Sequence, residues 1–208
     1  MNQSVVRHAV SGVPDMFHLP SFAQPALLHD SLQSILAVSP FRFMQTPRGF
    51  QMAAEQSNCG ALGWVTDRRG YRYEAFDPLS DAAWPAMPSL FMSLASEAAG
   101  VCGFDSFEPD ACLINRYAVG KGMSAHRDAD EIDFSQPIVS VSLGLPTRFF
   151  VQGEFGKGKS VSLDLVSGDV VVWGGASRLF YHGVRPLKAG VDSLFGEYRI
   201  NLTFRRAI

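Results

Sequence analysis

The 208-residue sequence has few cysteines, no long apolar run and a small net charge, and each shortage excludes a class of protein. Its cysteines are Cys59, Cys102 and Cys112, without a CxxC pair, so they predict neither a disulfide framework nor a zinc ribbon. No stretch approaches the roughly 18 consecutive apolar residues of a membrane span, and residues 1–15 lack the pattern of a secretory signal. We therefore expect a cytoplasmic protein with reduced thiols and no membrane partner.

The composition suits one folded domain, but the charges are unevenly spread along it. Hydrophobic residues make up 47% of the sequence, which is enough for one buried core in a single domain over 1–208. The formal net charge of −2 argues against a general polyanion binder. Residues 41–73 nevertheless hold five arginines and two acids, whereas residues 74–110 hold seven acids and neither lysine nor arginine. The first of these segments suits contact with phosphates and the second does not.

Hydrophobic periodicity divides the chain into a partly helical first half and a β-rich second half. Apolar residues recur at helical spacing over 25–38 and 89–99, which predicts two helices. Period-2 runs between Gly and Pro turns then predict short strands over 111–117, 138–143, 148–152, 160–165, 169–173 and 198–205. Because βαβ alternation is missing, this order favours an α+β, mainly β protein built on an antiparallel sandwich or jelly roll.

Residues 153–160, GEFGKGKS, fit the phosphate-binding pattern GxxxxGK[ST]. That pattern binds nucleotide phosphates only where the segment opens a helix, whose N-terminal amides face the phosphates. Here residues 161–166 alternate between apolar and polar side chains, which predicts a strand. We therefore interpret the segment as a hairpin loop and set a nucleoside-triphosphatase function aside.

Two histidines and one aspartate of the β-rich half are candidates for a metal site. His126 and Asp128 are two residues apart, so an extended chain points both side chains to one face. His182 follows much later, where another strand of a rolled sheet can carry it to the same point. Two histidines and one carboxylate leave coordination positions open, as in non-haem Fe(II) oxygenases and unlike a closed structural zinc site. The competing interpretation is a surface pair of His126 and Asp128.

The last predicted strand carries two arginines on its polar face. Period 2 places four polar side chains together, opposite an apolar face: Arg199, Asn201, Thr203 and Arg205. Because an unpaired guanidinium is costly to bury, arginines on an inner face indicate an anionic ligand, and a small dicarboxylate or keto acid suits them. Solvated arginines on an exposed edge are the alternative. Asn115 and Tyr117, which share a face of another strand, either complete this polar pocket or pack as ordinary buried residues.

These features together resemble the bacterial AlkB family over about residues 40–206. The motifs that carry the resemblance include Asn115-Arg116-Tyr117, His126-Arg127-Asp128-Ala129-Asp130-Glu131, and the segments 58–64, 84–88, 137–145, 169–175, 178–183 and 199–205. The resemblance implies a double-stranded β-helix, or jelly roll, with flanking N-terminal helices and a substrate-binding lid. It divides the chain into an N-terminal extension and helix over 1–40, a nucleotide-recognition lid over 41–88 and a jelly-roll core over 110–206.

The resemblance also implies an activity and its cofactors. It points to an Fe(II)- and 2-oxoglutarate-dependent dioxygenase that uses O2 to remove alkyl groups oxidatively from N-alkylated bases, with succinate as a by-product. The implied substrates are alkylated single-stranded or duplex DNA, with single strands preferred and RNA left open. An enzyme of this kind extracts its target base from the stack or takes single strands, and it then holds the base by stacking.

Individual site residues take their roles from the same resemblance. The implied iron ligands are His126, Asp128 and His182, which with Arg205 form the catalytic set. The implied 2-oxoglutarate residues are Asn115, Tyr117, Arg199, Asn201, Thr203 and Arg205. The implied contacts of the alkylated base are Trp64, Tyr71, Tyr73, Asp130 and Glu131. The chain departs from the family at 153–159, where only Lys157 and Lys159 stand in place of an arginine near the lesion pocket, so the lesion preference is left open.

Two other functions are compatible with the residues taken alone. One is a 2-oxoglutarate-dependent oxygenase acting on a small molecule or a protein, for which a less basic segment than residues 41–73 is expected. The other is a non-enzymatic β-barrel binding protein that uses the metal ligands structurally and loses its fold on chelation. In each case we expect a monomer.

Overall fold

The computed structural model describes residues 5–153, 156 and 159–208. Its helices are α1 (Pro25–Val38) and α2 (Ser89–Val101). Its strands are, in chain order, β1 (His8–Ala9), β2 (Met16–Leu19), β3 (Glu55–Gly60), β4 (Gly63–Asp67), β5 (Gly70–Glu74), β6 (Ala111–Ala118), β7 (Met123–His126), β8 (Ile138–Gly144), β9 (Thr147–Gln152), β10 (Val161–Leu165), β11 (Val170–Trp173), β12 (Tyr181–Val184) and β13 (Tyr198–Arg205). In the part of the chain that the structure describes, every helix is too short or too polar to cross a membrane.

The strands form two sheets and a separate hairpin. The larger sheet has the order β1-β2-β11-β8-β13-β6-β3, the smaller sheet has the order β10-β9-β12-β7, and β4 pairs with β5 alone. The strand pairings in both sheets are antiparallel. This arrangement confirms the predicted mainly β fold, a double-stranded β-helix with few helices.

Both helices pack on the outer face of the larger sheet. Leu28 and Leu32 of α1 and Phe91 of α2 belong to one buried apolar cluster with the outward-facing side chains of the sheet. From β13 this cluster takes Ile200, Leu202 and Phe204. Full burial of each such side chain contributes about 1.5–3 kcal/mol relative to exposure. Because side chains alternate along a strand, the same packing directs the polar side chains of β13 into the roll.

A second apolar cluster fills part of the space inside the roll. Its members come from both sheets and include Ile138, Val151, Leu165, Val171 and Leu187. Four further members, Tyr117, Phe149, Trp173 and Val184, also line a cavity that occupies the rest of this space. The cluster therefore provides a rigid apolar wall behind the polar side chains of the cavity.

Most predicted helices and strands lie where the periodicity places them, and the strands that it did not predict are short. The predicted helix over 25–38 and strand over 198–205 are confirmed, and the helix predicted over 89–99 extends to residue 101. The larger sheet also takes in strands from outside residues 110–206, because β2 pairs with β11 and β3 pairs with β6. The signal is weak in β3 because its sequence, EQSNCG, is almost fully buried without any apolar alternation.

The segment that fits the phosphate-binding pattern connects two antiparallel strands. Val151 of β9 pairs with Val161 of β10, so residues 153–160 join the two strands of a hairpin, and a strand follows in place of a helix. This confirms the hairpin interpretation. Glu154, Phe155, Lys157 and Gly158 lie outside the described residues, and the predicted effect of Lys157 on the lesion pocket stays a prediction.

Candidate active site

The two histidines of the predicted triad are direct neighbours across two strands. His126 ends β7, and His182 is the second residue of β12, and the antiparallel register of these strands pairs the two residues. Their ring centroids are 4.5 Å apart with an interplanar angle of 53°. The pairing of β7 with β12 is therefore the feature that brings together residues far apart in sequence.

Asp128 completes the cluster from the loop that follows β7. Its Oδ1 lies 3.8 Å from His126 Nε2, and its Oδ2 lies 3.9 Å from His182 Nε2. Each of the three residues offers one ligand atom, and these atoms all lie within 4.8 Å of one another. The structure thus brings the three predicted ligands together around a space that a single metal ion can fill.

Backbone carbonyls fix the orientation of both imidazoles. His126 Nδ1 lies 3.0 Å from the Ser124 carbonyl oxygen, and His182 Nδ1 lies 3.1 Å from the Phe180 carbonyl oxygen. A carbonyl can only accept a hydrogen bond, so in each ring Nδ1 carries the proton and donates it. Each Nε2 is then left with a lone pair directed at the cluster, which is the tautomer that a metal requires.

The electrostatics of the cluster favour a cation. Burial, together with the neighbouring His126, lowers the pKa of His182 to about 4, so this imidazole is neutral at pH 7. Burial opposes ionisation of Asp128, but the charge of Arg205 and the two histidines hold the pKa of this carboxyl below its usual range. At neutral pH the site therefore presents a neutral imidazole at His182 and a carboxylate at Asp128.

Arg199 is a buried cation without an anionic partner among the described residues. Its side chain is 1% exposed, and its Nη2 donates to Ser142 Oγ at 3.0 Å. Its Nε and Nη1 have no hydrogen-bond partner, although they are buried. Burial lowers the pKa of Arg199 to about 10, which leaves the guanidinium charged at pH 7. A buried, unpaired guanidinium is costly, and a carboxylate ligand would satisfy it.

The other predicted 2-oxoglutarate residues differ in how free their polar atoms are. The Oδ1 atom of buried Asn115 has no hydrogen-bond partner among the residues that the structure describes and can accept a hydrogen bond. Asn201 Nδ2 already donates to Ser140 Oγ at 2.8 Å and to the Val141 carbonyl at 3.0 Å, and its Oδ1 accepts from Thr203 Oγ1 at 3.0 Å. Asn115 is therefore open to a ligand, whereas the amide group of Asn201 is already held by protein partners.

One cavity of about 390 Å³ contains the metal cluster and the predicted cosubstrate side chains. Its size falls in the usual range for small-molecule sites. It is lined by all nine of the predicted iron ligands and 2-oxoglutarate residues, namely Asn115, Tyr117, His126, Asp128, His182, Arg199, Asn201, Thr203 and Arg205. Both predicted groups thus face one enclosed space.

Three of the predicted base-contact residues lie at this cavity and contact one another. Trp64 and Tyr71 come from the hairpin of β4 and β5, and their rings are stacked with centroids 5.6 Å apart. The indole Nε1 of Trp64 donates to Asp130 Oδ2 at 2.8 Å. Tyr71 is 47% exposed, so the aromatic pair presents a face to solvent beside the cavity.

The other two predicted base contacts, Tyr73 and Glu131, are absent from the cavity lining. The hydroxyl of Tyr73 donates to Glu131 Oε1 at 2.6 Å, and Glu131 is 5% exposed. Their predicted contact with the base stays a prediction. Sequence reasoning gave no sign that this carboxylate is buried among arginines, because each arginine lies on a different element.

Most arginines of the basic segment 41–73 form ion pairs within the segment or with its neighbour. Arg42 binds both oxygens of Asp77, and Arg72 binds Asp67 and Glu74. Arg69 lies 3.4 Å from Asp67. Fewer positive charges are therefore free to bind phosphates than the number of arginines in this segment suggests.

Sequence reasoning missed several residues that shape the site. Arg178 donates to Glu131, and Ser142 accepts a hydrogen bond from Arg199. The ring centroid of His182 lies 5.7 Å from that of Phe149 and 5.0 Å from that of Trp173. Ser142 had a detectable signal, since it is a polar residue within a strand of otherwise apolar character. The packing around His182 had none, because it depends on how the sheets fold over each other.

Comparison with known proteins agrees with this geometry. The sequence profile of the 2OG-Fe(II) oxygenase superfamily matches residues 15–205. The alpha-ketoglutarate-dependent dioxygenase AlkB of Salmonella typhimurium is 52% identical over 187 residues, which cover 90% of this chain and 87% of that protein. The nucleic acid dioxygenase ALKBH1 of Mus musculus is 32% identical over 59% of this chain and 31% of its own length.

Among solved structures, OsALKBH1 superimposes on this chain with a TM-score of 0.83 and 25% identity, covering 97% of this chain and all of that one. The match spans both sheets and the helices, so the elements that carry the His126, Asp128 and His182 cluster are included in it. The agreement of profile, sequence and fold leaves one assignment: the chain belongs to the AlkB family of the 2OG-Fe(II) oxygenase superfamily.

Proposed function

We propose that this protein oxidatively removes alkyl groups from N-alkylated bases of nucleic acid, using Fe(II), 2-oxoglutarate and O2. The observation that carries the proposal is one cavity in which a His-Asp-His cluster, the unpaired guanidinium of Arg199 and an aromatic pair from a surface hairpin all meet. The family relationship supports the cofactors, and the name of the ALKBH1 relative supports nucleic acid as the substrate.

The residues present fit both iron and 2-oxoglutarate. Two Nε2 lone pairs and one carboxylate would hold Fe(II) and leave positions open on its other side. Arg199 would bind the distal carboxylate of 2-oxoglutarate, because its buried Nε and Nη1 lack other partners. Asn115 and Tyr117 of β6 both line the cavity and would complete the polar contacts. Bound Fe(II) with 2-oxoglutarate and O2 supplies the oxidising power that hydroxylates the alkyl carbon, with succinate and CO2 formed alongside.

The side chains of this protein supply position and water exclusion. Arg205 donates to Asp128 Oδ2 at 2.6 Å and so limits the rotation of the carboxylate. Phe149 and Trp173 cover His182 on its apolar side, so the imidazole is shielded from bulk water. Trp64 and Tyr71 offer aromatic faces for an extracted base, and Asp130 offers a carboxylate for its edge.

The finer features of the substrate follow from the access to this cavity. We propose single-stranded DNA as the preferred form, since a base held by Trp64 must first leave its stack, at a lower cost from a single strand.

The site is complete within one chain, which supports a monomer. Three free, buried thiols support a reducing compartment such as the cytoplasm.

Substitution of Trp64 should weaken binding of the methylated base. Loss of one stacking platform costs about 2 kcal/mol, so Trp64→Ala should raise the Kd for a methylated single-stranded oligonucleotide roughly 30-fold. Trp64→Phe keeps an aromatic face and should recover most of the affinity. Fluorescence anisotropy with a labelled oligonucleotide measures both values. Equal affinity of the Ala variant and the parent protein would show that Trp64 does not contact the base.

Arg127 should bind a phosphate of the substrate. It is the exposed arginine of the cavity lining, and its guanidinium lies 5.9 Å from the centroid of the Tyr181 ring. The same ring lies close to Gly156 of the 153–160 loop. Within the described ranges, no carboxylate forms an ion pair with it. This position suits it to supply the planar cation that the loop lacks.

Arg127→Gln should therefore reduce the salt dependence of oligonucleotide binding. Loss of one phosphate contact lowers the magnitude of the slope of log K against log[salt] by about 0.7 for a single strand. Arg206→Gln, which removes an exposed arginine outside the cavity lining, should leave the slope unchanged. An unchanged slope for Arg127→Gln would place the phosphate elsewhere.

The proposed function is tested by mass spectrometry of a singly N-methylated, single-stranded DNA oligonucleotide incubated with the protein, Fe(II), ascorbate and 2-oxoglutarate. We expect loss of one methyl mass only when the keto acid is present. Repeating the assay with the same lesion in duplex DNA and in RNA ranks the three substrate forms by the extent of demethylation. An intact methyl group in all three, together with 2-oxoglutarate turnover on a small molecule or protein, would contradict the proposal.

A further inference from the structure

A buried carboxylate lies where the surface hairpin meets the metal cluster. Glu131 follows Asp128 by three residues in the same loop, and its carboxylate accepts hydrogen bonds from two residues and forms an ion pair with a third. Tyr73, which stands on β5 of the hairpin, donates to Oε1 at 2.6 Å. Because β5 belongs to a sheet of two strands separate from the roll, this bond connects two parts of the fold.

Two buried arginines bind the same carboxylate. Arg178 Nη2 donates to Glu131 Oε2 at 2.9 Å, and Arg205 Nε lies 3.3 Å from Oε1. Arg178 also donates to the backbone carbonyls of Asp128 and Gln136, each at 2.9 Å. Both ends of the loop that carries Asp128 are thus held by one guanidinium, which Glu131 neutralises.

Arg205 is shared between Glu131 and the metal cluster. Its Nη2 and Nε both donate to Asp128 Oδ2, at 2.6 Å and 3.2 Å, and its Nε also lies 3.3 Å from Glu131 Oε1. Oδ2 is the same oxygen that lies 3.9 Å from His182 Nε2. Arg205 therefore contacts both the carboxylate that would bind a metal ion and the carboxylate of Glu131, so a change of charge at Glu131 alters the balance of the arginine between them.

We propose that Glu131 is a positioning residue that connects the β4–β5 hairpin to the metal cluster. It acts on Asp128 through Arg205 and Arg178, and the Tyr73 hydroxyl transmits the position of the hairpin to it. Metal binding at the cluster and nucleic acid binding at the hairpin are consequently coupled. The coupling to nucleic acid rests on the proposed function, whereas the effect of Glu131 on the metal does not.

The first test measures metal affinity without nucleic acid. Glu131→Gln keeps the shape of the side chain but removes its charge, so Arg205 pairs more fully with Asp128, and a nearby negative charge is lost. Loss of such an outer partner costs about 10- to 100-fold in metal affinity. We expect an increase of at least about tenfold in the Kd for Mn(II), measured by electron paramagnetic resonance titration of the folded protein.

A matched control separates this effect from general loss of an ion pair. Glu55→Gln removes a carboxylate that binds Arg116 through two bonds of 2.8 Å outside the cavity lining. It should lower the melting temperature without changing the Kd for Mn(II). A Glu131→Gln variant that binds Mn(II) within twofold of the parent protein would overturn the proposal, whatever its melting temperature.

The second test examines the connection to the hairpin. Tyr73→Phe removes only the hydroxyl, so the variant is expected to fold. In the parent protein, a methylated single-stranded oligonucleotide should lower the Kd for Mn(II), and Mn(II) should lower the Kd for the oligonucleotide by the same factor. We expect Tyr73→Phe to lose most of this factor while keeping its Mn(II) affinity in the absence of oligonucleotide.

The two tests fail in different ways. Equal coupling in Tyr73→Phe and the parent protein, or no coupling in the parent protein, would overturn the connection to the hairpin. An absence of demethylation combined with weakened Mn(II) binding in Glu131→Gln would overturn the proposed function and leave the positioning role intact. If Glu131→Gln does not fold, the Tyr73→Phe result alone decides the proposal.

Discussion

His126→Ala is expected to lose succinate formation and demethylation together. The substitution removes one of three ligand atoms that lie within 4.8 Å of one another, and nothing else in the cluster can replace the imidazole. Loss of an outer partner of a metal ligand costs up to about 100-fold in activity, and loss of the ligand itself must exceed this. We therefore expect both rates to fall by more than about 100-fold.

The measurement is the rate of both products from a methylated oligonucleotide. His29→Ala provides the control, because it removes an imidazole from α1, outside the cavity lining, and should leave both rates unchanged. Demethylation that persists in His126→Ala would refute the metal assignment. Succinate formation that persists alone would place the keto acid chemistry at another site.

Arg199→Gln is expected to raise the KM for 2-oxoglutarate by about 100-fold. The reason is that truncation of one partner of a buried, hydrogen-bonded charge pair costs about 3 kcal/mol or more. Arg199→Lys keeps the charge but not the planar pair of donors, so its KM should lie between the two values. Steady-state succinate formation at varied 2-oxoglutarate gives all three values.

Although Arg199→Gln should weaken 2-oxoglutarate binding, it should not destabilise the free protein. In the free protein, Arg199 is buried and its Nε and Nη1 lack partners, so replacement by a neutral side chain relieves a desolvation cost. Without 2-oxoglutarate, the melting temperature of Arg199→Gln should equal or exceed that of the parent protein. An unchanged KM together with a lower melting temperature would show that Arg199 serves the fold and not the ligand.

The strand that carries Arg199 shows how far sequence reasoning reaches. Period 2 alone separates Arg199, Asn201, Thr203 and Arg205 from the apolar residues between them, and the structure directs the first group into the cavity. The spacing of His126 and Asp128 likewise follows from the geometry of an extended chain. These local patterns survive folding because each depends only on residues close together in the chain, although Asp128 lies in the loop that follows β7.

Features that depend on contacts between distant segments could not be predicted in the same way. The register that pairs His182 with His126 joins two strands far apart in sequence, and β7, with only four residues, is too short to give a distinct signal. The ion pairs of Arg42 and Arg72, which reduce the charge available to phosphates, join residues that simple counting treats as independent. The burial of Glu131 depends on three elements meeting at one point.

The central claim is that His126, Asp128 and His182 hold one Fe(II) ion and that Arg199 holds the cosubstrate beside it. An anaerobic crystal structure with Fe(II) and 2-oxoglutarate, in which anomalous scattering locates the iron, tests both parts at once. We expect an iron peak bonded to the two Nε2 atoms and the Asp128 carboxylate, with a carboxylate of 2-oxoglutarate paired to Arg199. Iron bound elsewhere, or Arg199 left without a carboxylate, would contradict it.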